Sequence, residues 1–416
     1  MATEACAGRS PAGSGCDARP LVERRFDRRS PRPRRSAARA CLGAGLALLL
    51  AACGSGDAGS GAADGTQPDA TPPGSVVASG GTVNFYNWSN YIHPDTLSRF
   101  TAATGIRVNY DVYDSNDVLE GKLLAGNTGY DLVVPTGNFF RNQRAAGLFQ
   151  PLDRTKLQNY SNLDPELLAK VAALDPDNTH AVPYAWGTTG LGINVAKIRE
   201  RLPDAPLDSW DLLFDPEIVK HFEDCGVTMV DASDELAEIG LAYLGHSPDS
   251  SDPEQLREAM DLVAKVRPYI RYFHSSQYID DFANGEVCLV LGWSGDLYQA
   301  MADARAGLEL RYVIPREGTV LWFDLLAIPA DAPHPDQAYR LLDHLLEPEA
   351  AAGLTNETYF PSGNRAALAL VDPAIRDDPA VFPPPEVMAR LFVHPVHEAG
   401  YVRQRNRVWT AVKTGR

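Results

Sequence analysis

The chain has 416 residues, 44% hydrophobic and 22% charged, which is ample for two domains of ordinary size with buried cores. Its net charge of −16 conceals an asymmetry. Residues 1–52 carry ten Arg and no Lys against Glu4, Asp17, Glu23 and Asp27, leaving 28 basic and 50 acidic side chains beyond them, or −22. So acidic a body repels nucleic acid and attracts small cations, which sets nucleic-acid partners aside.

The Arg-rich start runs into an apolar stretch over residues 40–52, too short to cross a bilayer as a helix. It ends Leu50-Ala51-Ala52-Cys53 ahead of Gly-Ser-Gly, the pattern of a bacterial lipoprotein signal in which Cys53 becomes the lipidated first residue. An ordinary cleaved signal with a coincidental Cys is the alternative. In either case the body is expected outside the cytoplasm, in the periplasmic space or on the outer face of the cytoplasmic membrane. Its contact with the membrane is then only through the N-terminal lipid. Residues 53–81 are rich in Gly, Ala, Ser, Asp, Thr and Pro, cannot bury a core, and read as a disordered tether. Cys6, Cys16 and Cys41 fall in the removed part, leaving Cys225 and Cys288 in the body. In an exported protein such a pair is most simply a disulfide, with two buried free thiols as the alternative. Closing a loop of that length contributes about 4 kcal/mol in the chain-entropy treatment.

From Thr82 onward strand and helix signals alternate. Residues 83–86 read as a strand, 94–103 as a helix stopped before Gly105, and 106–112 as a strand. Residues 114–124 read as a helix, 130–134 as a strand and 139–146 as a helix. This β-α-β-α-β-α order implies an α/β fold with a mostly parallel sheet and crossover helices. Around Tyr184-Ala185-Trp186-Gly187-Thr188-Thr189-Gly190 small residues cluster before a strand resumes at 191–195, which reads as a crossing into a second lobe. Segments 227–230, 239–244 and 254–266 then supply a strand and two helices, and Trp322–Asp324 marks a return crossing before a strand at 325–329. Residues 338–346 form a strongly amphipathic helix.

The most informative stretch is Val287 to Asp296. Five apolar residues read as a buried strand that breaks at Gly292 and Gly295 and ends in Trp293 and Asp296. Ligands of open α/β sheets bind beyond the carboxyl ends of strands, and an aromatic face beside a carboxylate suits an amine cation. The competing reading makes Trp293 core and Asp296 the N-cap of a helix beginning at Leu297. Trp322-Phe323-Asp324 repeats the combination, and residues 83–86 lead into Asn87-Trp88-Ser89-Asn90-Tyr91, so three strand ends point to one cleft.

With Tyr86-Asn87-Trp88-Ser89-Asn90-Tyr91-Ile92, Asp131-Leu132-Val133-Val134-Pro135, Arg271-Tyr272-Phe273-His274-Ser275-Ser276-Gln277-Tyr278-Ile279 and Gly292-Trp293-Ser294-Gly295-Asp296 in view, the chain resembles a known family. It is similar, from about Thr82 to Arg416, to the polyamine-binding substrate-binding proteins of ABC importers, closest to the putrescine branch. The resemblance implies a type II periplasmic-binding-protein fold: two lobes, two mixed, mostly parallel sheets flanked by helices, and a ligand cleft between them. It implies lobe 1 at 82–185 plus 325–353, lobe 2 at 186–324 plus 357–416, and chain crossings near 185–186, 322–324 and 353–357. Ligand-binding positions implied are Trp88, Ser89, Tyr91, Thr136, Glu235, Trp293, Asp296, Trp322 and Asp324, with Phe360 at a further aromatic position. A disulfide at Cys225–Cys288 matches the family as well. No cofactor is expected, the partners are a polyamine and the permease subunits of the importer, and the protein is expected to be a monomer. Two departures bear on ligand length. Asn90 stands where some putrescine binders have an acid, and Trp322 where that branch often has Phe. Putrescine is favoured, with spermidine as the alternative.

Other functions fit less well. Gly292-Trp293-Ser294-Gly295-Asp296 lacks the final glycine of a G-x-S-x-G nucleophile elbow, and no G-x-x-x-x-G-K phosphate loop is present. His394 and His397 are separated by Pro395, which argues against one helix presenting both to a metal. Neither catalysis nor metal binding is therefore expected. Iron would call for clustered Tyr or His and an anion for Arg, whereas the cleft positions hold acids and aromatics. A sensor built on the same fold remains the alternative to a transport role.

Overall fold

The computed structural model describes residues 80–395 and 397–415. The expected signal segment, nearly all of the tether and the lipidation site Cys53 lie outside the described residues. Ten strands occur among those described: β1 (Gly81–Trp88), β2 (Ile106–Tyr113), β3 (Leu132–Val133), β4 (Ala181–Asn194), β5 (Val227–Met229), β6 (Ile270–Phe273), β7 (Leu289–Trp293), β8 (Leu310–Val313), β9 (Val320–Ala327) and β10 (Phe392–Val393). They are hydrogen-bonded in the order β2-β1-β3-β9-β4-β7-β5-β6, with β10 joined to β9 and β8 to β4.

Local chemistry explains the first units. Helix Thr96–Thr104 stops at Gly105, whose φ of 71° is open to glycine and whose N–H bonds back to the Thr101 carbonyl. β2 then lies parallel to β1 over its full length, from Gly81↔Ile106 to Trp88↔Tyr113. Helix Asn116–Ala125 is capped by Ser115, whose hydroxyl accepts the Val118 N–H. The strand expected at 130–134 shrinks to Leu132–Val133, and helix Gly137–Ala145 follows directly.

The centre differs from the sequence reading. The glycine-rich stretch around 184–190 does not interrupt a strand. β4 runs unbroken through fourteen buried residues, pairing antiparallel with β9 from Ala181↔Ala327 to Thr188↔Leu321. Its second half pairs antiparallel with β7 (Thr189↔Trp293 to Ile193↔Leu289) and with β8. The glycines serve close approach rather than turning. A Cβ on Gly187 would stand 2.5 Å from Cζ2 of Trp322, and one on Gly190 2.5 Å from the Val313 carbonyl. Trp322–Asp324 likewise lies within continuous β9. Third, the expected crossing near 353–357 falls inside helix Pro348–Thr358. The parallel pairs are β1 with β2 and β3, β5 with β6 and β7, and β9 with β10, so each flank is parallel and the middle antiparallel.

Val83, Phe85, Leu132, Ile193 and Leu289–Leu291 are completely buried and anchor the core. Helix Pro335–Leu345 buries Ala338, Leu341, Leu342 and Leu345 on one face, as its pattern predicts. The C-terminal helix Ala399–Thr414 packs on helices Pro253–Val266 and Ser233–Tyr243. Cys225 and Cys288 form a disulfide that spans 63 residues and ties the entry of β5 to that of β7. Among the described residues, no helix is long and apolar enough to cross a membrane.

Candidate ligand-binding site

The site is built where β1, β4, β7 and β9 meet. Asp324 sits in β9 opposite Ala185 of β4, and a single bridge joins it to Thr136 just past β3. Its two carboxylate oxygens accept from different hydroxyls, Tyr91 at 2.8 Å and Thr136 at 2.7 Å. Thr136 is fixed by Asn116, which donates to its hydroxyl at 2.9 Å and accepts its N–H at 3.1 Å. Tyr91 is delivered by a left-handed turn at exposed Asn90 (φ 55°), a conformation that short polar side chains such as Asn and Asp tolerate. Asn90 is thus a backbone device as well as a missing charge. The Tyr91 carbonyl accepts from Asn87 and from the Tyr184 hydroxyl, both at 3.0 Å.

The second cluster comes from β7 and the helices around it. Helix Ser294–Ala302 begins immediately after Trp293, so Asp296 lies inside the first turn and is not the N-cap. Tyr278, fully buried, donates to Asp296 at 2.7 Å while accepting the Trp293 N–H at 3.3 Å. The Trp293 indole N–H donates to Glu235 at 2.8 Å, and the Thr189 hydroxyl donates to the other oxygen of that carboxylate. Glu235 is in the first turn of the 233–243 helix.

Aromatic rings join the clusters. Phe360 packs edge-on against both Tyr91 and Trp322, with centroids 5.2 Å away in each case. It reaches there because residue 295 is glycine: a Cβ would stand 2.6 Å from the Phe360 ring. The Trp322 indole N–H is buried without a hydrogen-bond partner. Trp88 is half-buried, donates to the Val134 carbonyl at 2.9 Å and packs on Tyr113. Ser89 stands apart: it is exposed and its hydroxyl donates to Asp114 at 2.8 Å.

The structure therefore links Tyr91, Thr136, Asp324, Trp322 and Phe360 in one group and Glu235, Trp293 and Asp296 in another. Sequence reasoning missed the supporting donors Tyr278, Thr189 and Asn116. Tyr278 stood inside a quoted motif, but nothing in its neighbours distinguished a donor from a core tyrosine.

All three acids are hydrogen-bonded by neutral donors, and burial is the largest influence on their ionisation, opposed at Glu235 and Asp324 by the charge of His394 as well. Burial lifts Asp324 to about 6 against the opposing pull of the Thr136 and Tyr91 hydroxyls. It lifts Asp296 to about 7, with Tyr278 opposing and the charge of Asp324 adding to the rise. Burial likewise takes Glu235 to about 7. Buried carboxylates with this profile, beside rings whose faces are electron-rich, form a receptor for cationic groups.

Antiparallel strands passing between two parallel flanks, with acids and aromatics gathered at the passage, define an extracytoplasmic solute-binding protein. A family profile described as bacterial extracellular solute-binding protein matches residues 96–383, and the chain belongs to that family. The putrescine-binding periplasmic protein PotF of Escherichia coli is 47% identical over 348 residues, covering 82% of this chain and 94% of that protein. A putrescine/agmatine-binding protein of Pseudomonas aeruginosa is 45% identical, covering 83% of this chain and 95% of its own. Among solved structures, a putative spermidine/putrescine ABC transporter protein from Listeria monocytogenes superposes with a TM-score of 0.73 at 29% identity, covering 80% and 99% of the two chains. The fold is the two-lobed type II periplasmic-binding-protein fold, these relatives are binding proteins rather than enzymes, and the location is extracytoplasmic.

Proposed function

We propose that this protein captures a polyamine, putrescine in preference to spermidine, and hands it to the permease of an ABC importer. The observation that carries this reading is the set of three carboxylates, Glu235 and Asp324 buried and Asp296 half-buried, gathered with aromatic rings and hydrogen-bonded to hydroxyl and indole donors. An incoming ammonium group completes each one through a charge-assisted hydrogen bond. Asp324 takes one region of the ligand and Glu235 with Asp296 the other. Trp88, Tyr91, Trp293 and Trp322 enclose the methylene chain and add cation–π attraction of roughly 0.5–2 kcal/mol per ring. Thr136 and Ser89 accept remaining N–H groups, which Ser89 can do on its free lone pairs while its hydroxyl donates to Asp114. Phe360 backs the rings of Tyr91 and Trp322.

The two lobes in this reading are 82–185 plus 325–353 and 186–324 plus 357–416, closing on the ligand so that the permease meets the closed form. Residues 361–364 reach across, since Gly363 bonds to Tyr184 and Asp164 and Asn364 to Leu346. A lipid on Cys53 tethers a monomer to the membrane. Isothermal titration of protein stripped of carried-over ligand, with putrescine, cadaverine, spermidine and spermine, tests the reading. Tight binding of one diamine or triamine is expected, and no heat with any of the four overturns it.

A further inference from the structure

Behind the cleft lies a buried ion pair that the ligand contacts leave unused. β10 runs parallel to β9 in the register Phe392↔Val320 and Val393↔Leu321, so the next residue, His394, is laid alongside the segment holding Trp322 and Asp324. Its Nδ1 is 2.7 Å from an Oε of Glu238, and the two side chains are 4% and 2% exposed. Glu238 is three residues after Glu235 on the 233–243 helix, so the pair sits within one helical turn of a proposed ligand anchor.

The surroundings are strongly charged from every side. The 233–243 helix contributes Asp234, Glu235 and Glu238, and β9 contributes Asp324, all of which interact with the imidazole. From the C-terminal helix, buried Arg405 acts on Asp234 and Glu238, with Tyr401 beside it and His397 on the approach to that helix. Asp117, from the helix 116–125, faces Asp234 and Arg405. Burial presses His394 toward the neutral form, but Glu238, Asp234 and Glu235 outweigh it and raise its pKa to about 9. A buried histidine surrounded by carboxylates is a fixed cation.

We propose that His394 is a positioning residue of the cleft: paired with Glu238, its imidazolium supplies the standing positive charge that biases Glu235 and Asp324 toward their ionised forms, ready to receive a ligand ammonium. The proposal rests on the polyamine reading of that site. Without the cation, those two carboxylates bind a proton more tightly, and each ligand amine must displace it. Binding then releases more protons and weakens further in acid.

The test compares the parent protein with His394→Gln by calorimetry of putrescine binding, in pairs of buffers that differ in ionisation enthalpy, between pH 6 and 8. The variant is expected to release more protons at pH 7 and to lose about tenfold more affinity than the parent toward pH 6, the factor that corresponds to one pKa unit. Equal proton release and parallel pH profiles from a folded variant overturn the proposal. Nitrogen NMR of the His394 ring in the empty parent is independent of any substitution and of any ligand. An imidazolium persisting through pH 7 and 8 is expected, and a neutral ring at pH 7 overturns the proposal. Failure of the polyamine reading would instead appear as absent heat in the parent.

Discussion

Asp324 and Asp296 are the same side chain in the same cleft, yet they are held differently. Asp324 has a hydroxyl on each oxygen and sits at about 6, whereas Asp296 has the single hydroxyl of Tyr278 and rises to about 7. The extra hydroxyl and the charge of His394 keep Asp324 closer to its charged form, while the charge of Asp324 pushes Asp296 the other way. In the proposed binding mode the difference divides the work: Asp324 is nearly ready when the ligand arrives, and Asp296 is made ready by it.

The sharpest way to break this comparison is to remove each charge in turn. Asp324→Asn and Asp296→Asn are each expected to lower putrescine affinity at pH 8 by about 2–4 kcal/mol, the usual loss when one member of a buried charge pair is removed. Titration calorimetry reads it, and unchanged affinity in both variants rejects the site. The variants should part company in acid. By pH 6 Asp296 is mostly protonated in the empty parent, so Asp296→Asn should flatten the upper part of the affinity profile, and Asp324→Asn the lower part.

The parent's own pH dependence comes next in size. Binding needs ionised carboxylates, and Asp324, Asp296 and Glu235 sit at about 6, 7 and 7, so affinity should fall by about tenfold or more between pH 8 and 5.5. Stability of the empty protein moves the other way. These acids have folded values above their unfolded ones, near 4, so each disfavours the folded state increasingly as pH rises from there toward 7. His394 acts in the same direction, because its raised value contributes stability present below about 6.5 and lost as pH rises through about 9. Melting curves without ligand should therefore shift upward from pH 8 to 5.5 as far as these groups decide it, and Asp296→Asn should melt above the parent at pH 8.

Smaller effects separate the donors. Tyr278→Phe removes the hydroxyl that holds Asp296, while Tyr91→Phe leaves Asp324 with Thr136. Loss of one hydrogen bond is worth about 1 kcal/mol, and Tyr278→Phe should exceed Tyr91→Phe at pH 7. The reverse order in calorimetry would remove the contrast between the two acids. The smallest effect is expected from Phe360→Leu, a swap of similar bulk behind the rings that should cost less than about 1.5 kcal/mol.

Much of this was legible in the sequence. Periodicity placed the early strands and helices within a few residues, and the recurrence of Trp and Asp at strand ends pointed to Asp296 and Asp324, whereas Glu235 came only from the family resemblance. Glycine was the misleading signal. The cluster at 184–190 reads as a break because glycine permits turns, but here the missing Cβ makes room for Trp322 and for the strand carrying Val313. Only the partner across the sheet distinguishes those uses, and that partner is more than a hundred residues away. Asn90 shows the same limit: its lost charge was visible, its left-handed backbone was not. Ser89 was named a ligand contact from the family resemblance, and the donation of its hydroxyl to Asp114 is another long-range fact that the sequence did not show.

The pairing of β4 with β9, continuous but for one register shift between Pro183 and Ala185, has a mechanical consequence. Where two bodies are joined by loops, they can slide, swivel and settle in many orientations. Here the joint is a ribbon whose rungs are hydrogen bonds, and a ribbon bends easily about one axis and resists the others. In the proposed closing motion, widening of the cleft flexes that ribbon. The joint is a leaf spring rather than a bearing, with Trp322 packed over Gly187 and the strand carrying Val313 over Gly190.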